Sequence, residues 1–229
     1  ELDKLYKKGL KKFPESGVLY NEYGEILFAK ADYDAIKYWE KGIEVEPNFP
    51  GNYYNAAKFY YFTTDKVWSL IYGEIFVNLE SYSQRTAEIK SILLEGYKKL
   101  FLTANLLEGY SDKNPFALAF LSAMNQQSSL AMSGLNIDKL IMIRTRFILD
   151  WFHQHAQKFP FRLFEYHRQL LKEGMFLAYN QWIFGAAENL AAYQLWTRVN
   201  ETEHERFTNF QRGRVFKLAD NQYYKSASR

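Results

Sequence analysis

The sequence predicts an all-α chain of stacked antiparallel helical hairpins, and three observations predict it. Apolar and aromatic residues recur at helical spacing along most of the length, small residues interrupt those stripes where two helices must touch, and prolines stand where helices must stop. All three meet between Tyr20 and Pro47, which reads Tyr20, Tyr23-Gly24, Leu27, Ala31-Asp32-Tyr33-Asp34-Ala35, Trp39, Gly42 and Pro47.

Taken in order, residues 1–12 read as the closing helix of an earlier unit, so a helix, a signal segment or both are expected upstream of Glu1. Pro14 and Pro47 each close a helix, 33 residues apart, and between them lies the first complete hairpin. The pattern resumes as Tyr53, Ala56-Ala57 and Tyr60, a turn at Thr63-Thr64-Asp65, then Val67, Trp68, Ile71, Gly73 and Phe76, which is a second hairpin. A helix over about 83–101 follows, with Ser81-x-x-Gln84 as its capping box and Ile89, Ile92-Leu93, Leu100 and Phe101 on one face. Gly109, Ser111, Asp112 and Asn114 then mark a boundary, and Pro115 opens the next helix.

Beyond the boundary, helices are predicted over 115–131 and 137–156. Lys158-Phe159-Pro160 then repeats Lys12-Phe13-Pro14. With three residues fewer in its first helix, the segment places Tyr166, Leu170-Leu171, Gly174, Phe176, Ala178, Trp182 and Gly185 on Tyr23, Leu27-Phe28, Ala31, Tyr33, Ala35, Trp39 and Gly42, 143 residues upstream. Helices over 187–199 and 202–218 complete the reading, and Asp220 to Arg229 reads as a frayed tail. The expected organisation is a front part at 1–102, a divergent helical half at 115–218 and a tail at 219–229.

Composition is consistent with this. The chain has 229 residues, 48% of them hydrophobic, which is ample for a core; 18 Tyr and 19 Phe suit helices packed through large flat side chains. There is no cysteine, which excludes disulfides and thiol chemistry and leaves cytoplasmic and exported (periplasmic) locations equally open. No apolar run is long enough to span a membrane, so the chain is expected to be soluble. Net charge is +3, divided as 14 basic against 16 acidic residues up to residue 110 and 15 against 10 after it. That excess falls short of a dedicated nucleic-acid binder and leaves a modest basic patch in the second half.

The segment Gly17–Pro47 resembles a tetratricopeptide repeat, a helical hairpin of 34 residues. Tyr20 stands at its first aromatic position, Tyr23-Gly24 at its Leu-Gly pair, Leu27 at the next large residue, Ala31 at the turn, Tyr33 after it, Ala35 at the small site of the second helix and Pro47 at the end. One residue is deleted after Asp34, and Gly42 replaces the usual Ala. The resemblance is clear for about residues 1–80 and faint for 158–199, and it implies a solenoid whose first helices line a concave groove. By position Asn21, Glu25 and Phe28 of one hairpin and Tyr54, Lys58, Tyr61 and Phe62 of the next face that groove. Glu25 and Tyr54 depart from the Lys, Asn and Arg set with which one subfamily clamps a C-terminal carboxylate.

Catalytic and metal chemistry find no support in the sequence. His153-x-His155 lies on a helix, where residues two apart point about 200° apart, and Glu203-His204-Glu205 has the wrong spacing for a zinc motif. No phosphate loop or nucleophile elbow occurs, so no enzyme, cofactor or metal is expected. The expected function is a non-enzymatic scaffold holding a partner segment on Asn21, Glu25, Phe28, Tyr54, Lys58 and Tyr61. The alternative is an RNA- or DNA-binding module built on Arg144, Arg146, Arg206, Arg212 and Arg214 with interleaved Phe147, Phe161, Phe207, Phe210 and Phe216. On amphipathic helices such phenylalanines more often belong to the core.

Overall fold

The computed structural model describes residues 1–110 and 114–225, and every element it contains among them is helical. Helices run at Leu2–Lys12 (α1), Gly17–Ala29 (α2), Ala35–Val45 (α3), Pro50–Tyr61 (α4), Lys66–Leu79 (α5), Gln84–Leu100 (α6), Pro115–Asn125 (α7), Ser128–Ala131 (α8), Ile137–Gln154 (α9), Arg162–Lys172 (α10), Phe176–Asn180 (α11), Ala186–Glu188 (α12), Leu190–Val199 (α13) and Glu201–Arg212 (α14). A π-helical turn, Gln181–Gly185, joins α11 to α12. Among the described residues no helix is long and apolar enough to cross a membrane. The chain divides into two compact units, Glu1–Ile89 with Lys217–Arg229, and Lys90–Phe216. The division thus falls inside α6, not in the Thr103–Asn114 segment where the sequence suggested it.

In the first unit α2 and α3 form a hairpin, and α4 and α5 another. Ser16 caps α2, its hydroxyl accepting from Leu19 N at 3.3 Å. The far end of α3 closes on the start of α2, where Gly17 N donates to Glu46 Oε2 at 2.8 Å, so the two helices run antiparallel. Gly24 is where they touch. A Cβ there would stand 2.3 Å from Trp39 Nε1, and that indole donates to Asn21 O at 3.3 Å. Pro50 opens α4 in its first turn.

Gly42 serves the next hairpin. Asn52 fills the space that a Cβ at Gly42 would take and donates to Gly17 O at 2.9 Å, tying α4 to both helices of the preceding hairpin. Glu40 on α3 is buried and accepts from Tyr60 OH of α4 at 2.8 Å and Tyr72 OH of α5 at 3.2 Å. The capping box ahead of α6 uses Ser83 and Thr86: Ser83 N donates to Thr86 Oγ1 at 3.2 Å and Thr86 N to Ser83 Oγ at 3.4 Å. Ser81 instead returns its hydroxyl to Val77 O at 3.0 Å.

In the second unit the core is aromatic. Phe116 of α7, Phe147 and Trp151 of α9, and Phe161 and Phe164 at the start of α10 pack ring to ring, with centroids 4.8 Å apart for Trp151 and Phe164 and 5.1 Å for Phe147 and Phe164. The predicted single helix over 115–131 is broken at Gln126-Gln127 into α7 and α8, and Asn114 caps α7 through Phe116 N and Ala117 N. The last helix stops at Arg212, short of the expected 218. Like Ala31 in the first unit, Gly174 ends α10 in the left-handed region, with φ values of 57° and 68°.

Candidate functional site

The predicted groove residues lie in the first unit, on α2 and α4 and, for Phe62, just past the end of α4, and the structure extends their face onto the first turns of α6. The register of these helices is set by polar contacts 34 residues apart. Asn55 Nδ2 of α4 donates to Asn21 Oδ1 of α2 at 2.9 Å, and Tyr54 OH of α4 donates to Glu88 Oε2 of α6 at 2.5 Å. Asn52 and Asn55 of α4 meet Gly17 and Asn21 of α2 in the same order, so these two helices run parallel.

Two clusters occupy the face. In the first, Glu25 Oε1 accepts from Asn21 Nδ2 at 3.0 Å and from Asn55 Nδ2 at 2.8 Å, which fixes an exposed carboxylate in one orientation. Asn21 is itself only 4% exposed, so it positions Glu25 and offers little surface of its own. In the second, Lys58 Nζ bridges Tyr54 OH at 3.0 Å and Glu88 Oε1 at 2.8 Å, with its ammonium 4.6 Å from the Tyr54 ring centroid. Arg85 covers the same ring at 5.1 Å while paired to Glu80.

The electrostatics follow from these contacts. Burial and then the bond to Glu88 raise the pKa of Tyr54, so its hydroxyl stays a donor. Burial opposes charge on Lys58, but the Glu88 carboxylate and the Tyr54 hydroxyl outweigh it and hold its pKa above the ordinary lysine value. For Glu88 burial likewise works against the charge, and Lys58 and Tyr54 overcome it, leaving the carboxyl below its usual range. The three form one closed network with its charge already balanced.

Toward the turn end of α2 and α4 the face becomes aromatic. Phe28 lies 6.1 Å from Tyr33, 5.7 Å from Trp39 and 6.4 Å from Phe59, and its ring is 46% exposed. Tyr61 packs edge-on against Phe62 at 5.2 Å, with Lys66 over its ring. Asn55, Arg85 and Glu88 belong to the face and were not predicted. The signal was present, since stepping 34 residues from Asn21 and Tyr54 reaches Asn55 and Glu88.

The basic alternative loses its centre. Arg144 is 2% exposed, and Tyr97, Phe176, Tyr179 and Phe184 surround its guanidinium at 5.0 to 5.8 Å from their ring centroids. It is a core cation and cannot reach a phosphate. Of the five rings offered for base stacking, Phe147, Phe161, Phe207 and Phe216 are core residues too, and Phe210 is half-buried. Arg146, Arg206, Arg212 and Arg214 are exposed, but Arg206 and Arg212 stand six residues apart on α14 and point about 120° apart.

His153 lies in the last turn of α9 and His155 just past its end, and among the described residues no three His, Cys, Asp or Glu side chains gather as metal ligands. No protein-family model matches the chain, and neither any curated protein nor any solved structure is detectably similar to it.

Proposed function

We propose that the first unit is a non-enzymatic interaction scaffold of tetratricopeptide type, which holds an extended segment of a partner protein along the face of α2, α4 and the start of α6. One observation carries this reading: the 34-residue register that lines up Asn21 with Asn55 and Tyr54 with Glu88, so that equivalent positions of successive helices share one face. Along it a fixed carboxylate at Glu25 stands one helical turn from the exposed ring of Phe28. Hydrogen-bonding groups held in place beside aromatic surface suit a segment of alternating polar and apolar residues.

The experiment places a photo-cross-linking residue at Phe28, at Tyr61 and, as a control, at the exposed Leu149 of the second unit. The reading expects products from Phe28 and Tyr61 that map to one contiguous stretch of the same partner, and their loss in a Glu25→Lys background. Equal products from Leu149, or no effect of Glu25→Lys, sink it. The basic-module alternative rests on the four exposed arginines alone, and it requires a mobility shift at low ionic strength that fades with salt.

A further inference from the structure

The charges on the groove face are not all matched. Lys58 pairs with Glu88 and Arg85 with Glu80, so both cations are already answered. Glu25 is not. Among the described residues its Oε1 accepts from the neutral amides of Asn21 at 3.0 Å and Asn55 at 2.8 Å, its Oε2 takes no hydrogen bond, and no lysine or arginine pairs with it. Glu22, three residues earlier on α2, is exposed and equally without a cation. A carboxylate that is held in place and left uncompensated attracts positive charge.

Beside it the surface is aromatic. Phe28 follows Glu25 by three residues on the same helix, which sets their Cβ atoms roughly 5–6 Å apart. Its ring is steadied by Tyr33, Trp39 and Phe59, with centroids at 6.1, 5.7 and 6.4 Å, and nearly half of it stays open. Both residues lie away from α1: Tyr23 marks the side of α2 that meets α1, through Tyr6, and Glu25 and Phe28 point about 160° and 140° from it.

We propose, building on the groove reading above, that the segment held on this face carries an arginine whose guanidinium donates to Glu25 and lies against the ring of Phe28. Charge complementarity selects a cation, and the neighbouring ring selects which one. A guanidinium is planar and weakly hydrated, so it donates in its own plane while its face stacks on an aromatic ring. A lysine ammonium is a compact, strongly hydrated point charge and does one or the other. Because Asn21 and Asn55 already hold the carboxylate, little side-chain freedom is lost when the arginine arrives.

Heptapeptides of alternating serine and isoleucine, with arginine, lysine, glutamine or glutamate at the centre, are to be titrated into the full chain while the side-chain amides of Asn21 and Asn55 are followed by NMR. Both amides donate to Glu25, so a cation drawn to that carboxylate shifts them. The arginine peptide should bind about five- to tenfold more tightly than the glutamine one, with lysine between them and glutamate weakest, and salt should narrow the gap. In Glu25→Gln, which keeps the size of the side chain and an acceptor oxygen, the arginine and glutamine peptides should bind alike. Phe28→Ala should weaken all four, the arginine peptide most. Equal binding of arginine and glutamine to the wild type, an arginine preference that survives Glu25→Gln, or lysine as tight as arginine overturns the assignment. If no peptide moves either amide at millimolar concentration, it falls as well. The groove reading fails separately, on cross-linked products from Phe28 and Tyr61 that do not converge on one stretch of one partner.

Discussion

Asn48 holds Leu218 by both ends of its side-chain amide. Its Nδ2 donates to Leu218 O at 3.1 Å, and its Oδ1 accepts from Leu218 N at 2.8 Å, across 170 residues of sequence. Leu218 is buried beside it, and further along Lys225 reaches Glu44 of α3 at 2.6 Å. Leu218, expected at the end of the last helix, and Lys225, in the stretch from Asp220 that reads as a frayed tail, are therefore each fastened within the first unit.

Asn48→Ala should release the segment around Leu218. Two hydrogen bonds at about 1 kcal/mol each raise the population of the undocked segment by roughly 10- to 30-fold. The Leu218 amide should then exchange its hydrogen faster by that factor, and unchanged exchange would show that the amide clamp carries no weight. The ionic attachment adds a pH dependence. Bonds from Lys225 and then Lys41 hold the Glu44 pKa below its ordinary value against the effect of burial, so this contribution is present above the usual carboxylate range and is lost as pH falls through the folded value. Once corrected for the intrinsic pH dependence of exchange, the Leu218 amide should accordingly be less protected near about pH 3 than near neutrality.

Glu40 joins the two hairpins through the hydroxyls of Tyr60 and Tyr72. Burial above all, and then the Glu40 charge, keep the Tyr72 hydroxyl protonated far into the alkaline range, so it remains a donor. Glu40→Leu leaves buried hydroxyls without this acceptor, at about 1–3 kcal/mol each, partly offset by relief of a buried carboxylate. A net loss of about 2–4 kcal/mol in urea unfolding is expected, with Glu40→Gln costing about half as much because its amide oxygen still accepts. A Leu variant as stable as wild type would mean that the carboxylate costs as much as it contributes.

Much of the first unit was legible because its contacts lie within one hairpin or one repeat. Gly24 and Trp39, or Gly42 and Asn52, are spelled close together, and their small-against-large pairing follows from helical spacing. The clamp of Leu218 by Asn48 could not be read, since nothing local in either residue encodes a partner 170 positions away. The break between α7 and α8 falls at two glutamines, with no glycine or proline to mark it. Arg144 looked like surface because arginine is charged. Its place between Leu140 and Phe147, four residues after one and three before the other, in fact puts it on the buried stripe of α9. On the candidate face the residue types were legible and the pairing was not. Lys58 and Tyr54 were read as open to a ligand, whereas Glu88 already engages both.

Ala31 and Gly174 test the repeat spelling directly. Asp32 N and Met175 N reach back to Leu27 O and Leu170 O at 3.0 and 2.8 Å, and both turns have their central residue at positive φ. An L side chain in this region costs about 1–2 kcal/mol, and glycine returns about 0.4–1 kcal/mol of that through the unfolded chain. Ala31→Gly should therefore stabilise the protein by about 0.5 kcal/mol, and Gly174→Ala should destabilise it by a similar amount. At Gly174 a Cβ meets only Arg206 Nη1, at 4.0 Å, so the second change isolates the backbone term. Opposite signs in matched urea melts are the expected outcome, and equal signs would refute the common geometry.

Lys90 should give the second unit an alkaline optimum. Its ammonium stands 3.8 Å from the Trp182 ring centroid, and burial lowers its pKa to about 7 from the usual value near 10.5. The unfolded chain binds this proton across the whole interval while the folded chain releases it, so stability rises as pH climbs from about 7 toward 10.5. Below that window both states carry the charge, and the folded protein bears the full cost of desolvating it. Lys90→Met keeps the length and apolar contact of the stem against Trp182 and removes the charge. The variant should exceed wild type in unfolding free energy at pH 6 and converge with it by about pH 10, because the other titrating groups, the buried tyrosines included, are common to both proteins. A gap that stays constant across this range would show that the Trp182 ring compensates for the lost hydration and that the amine remains charged.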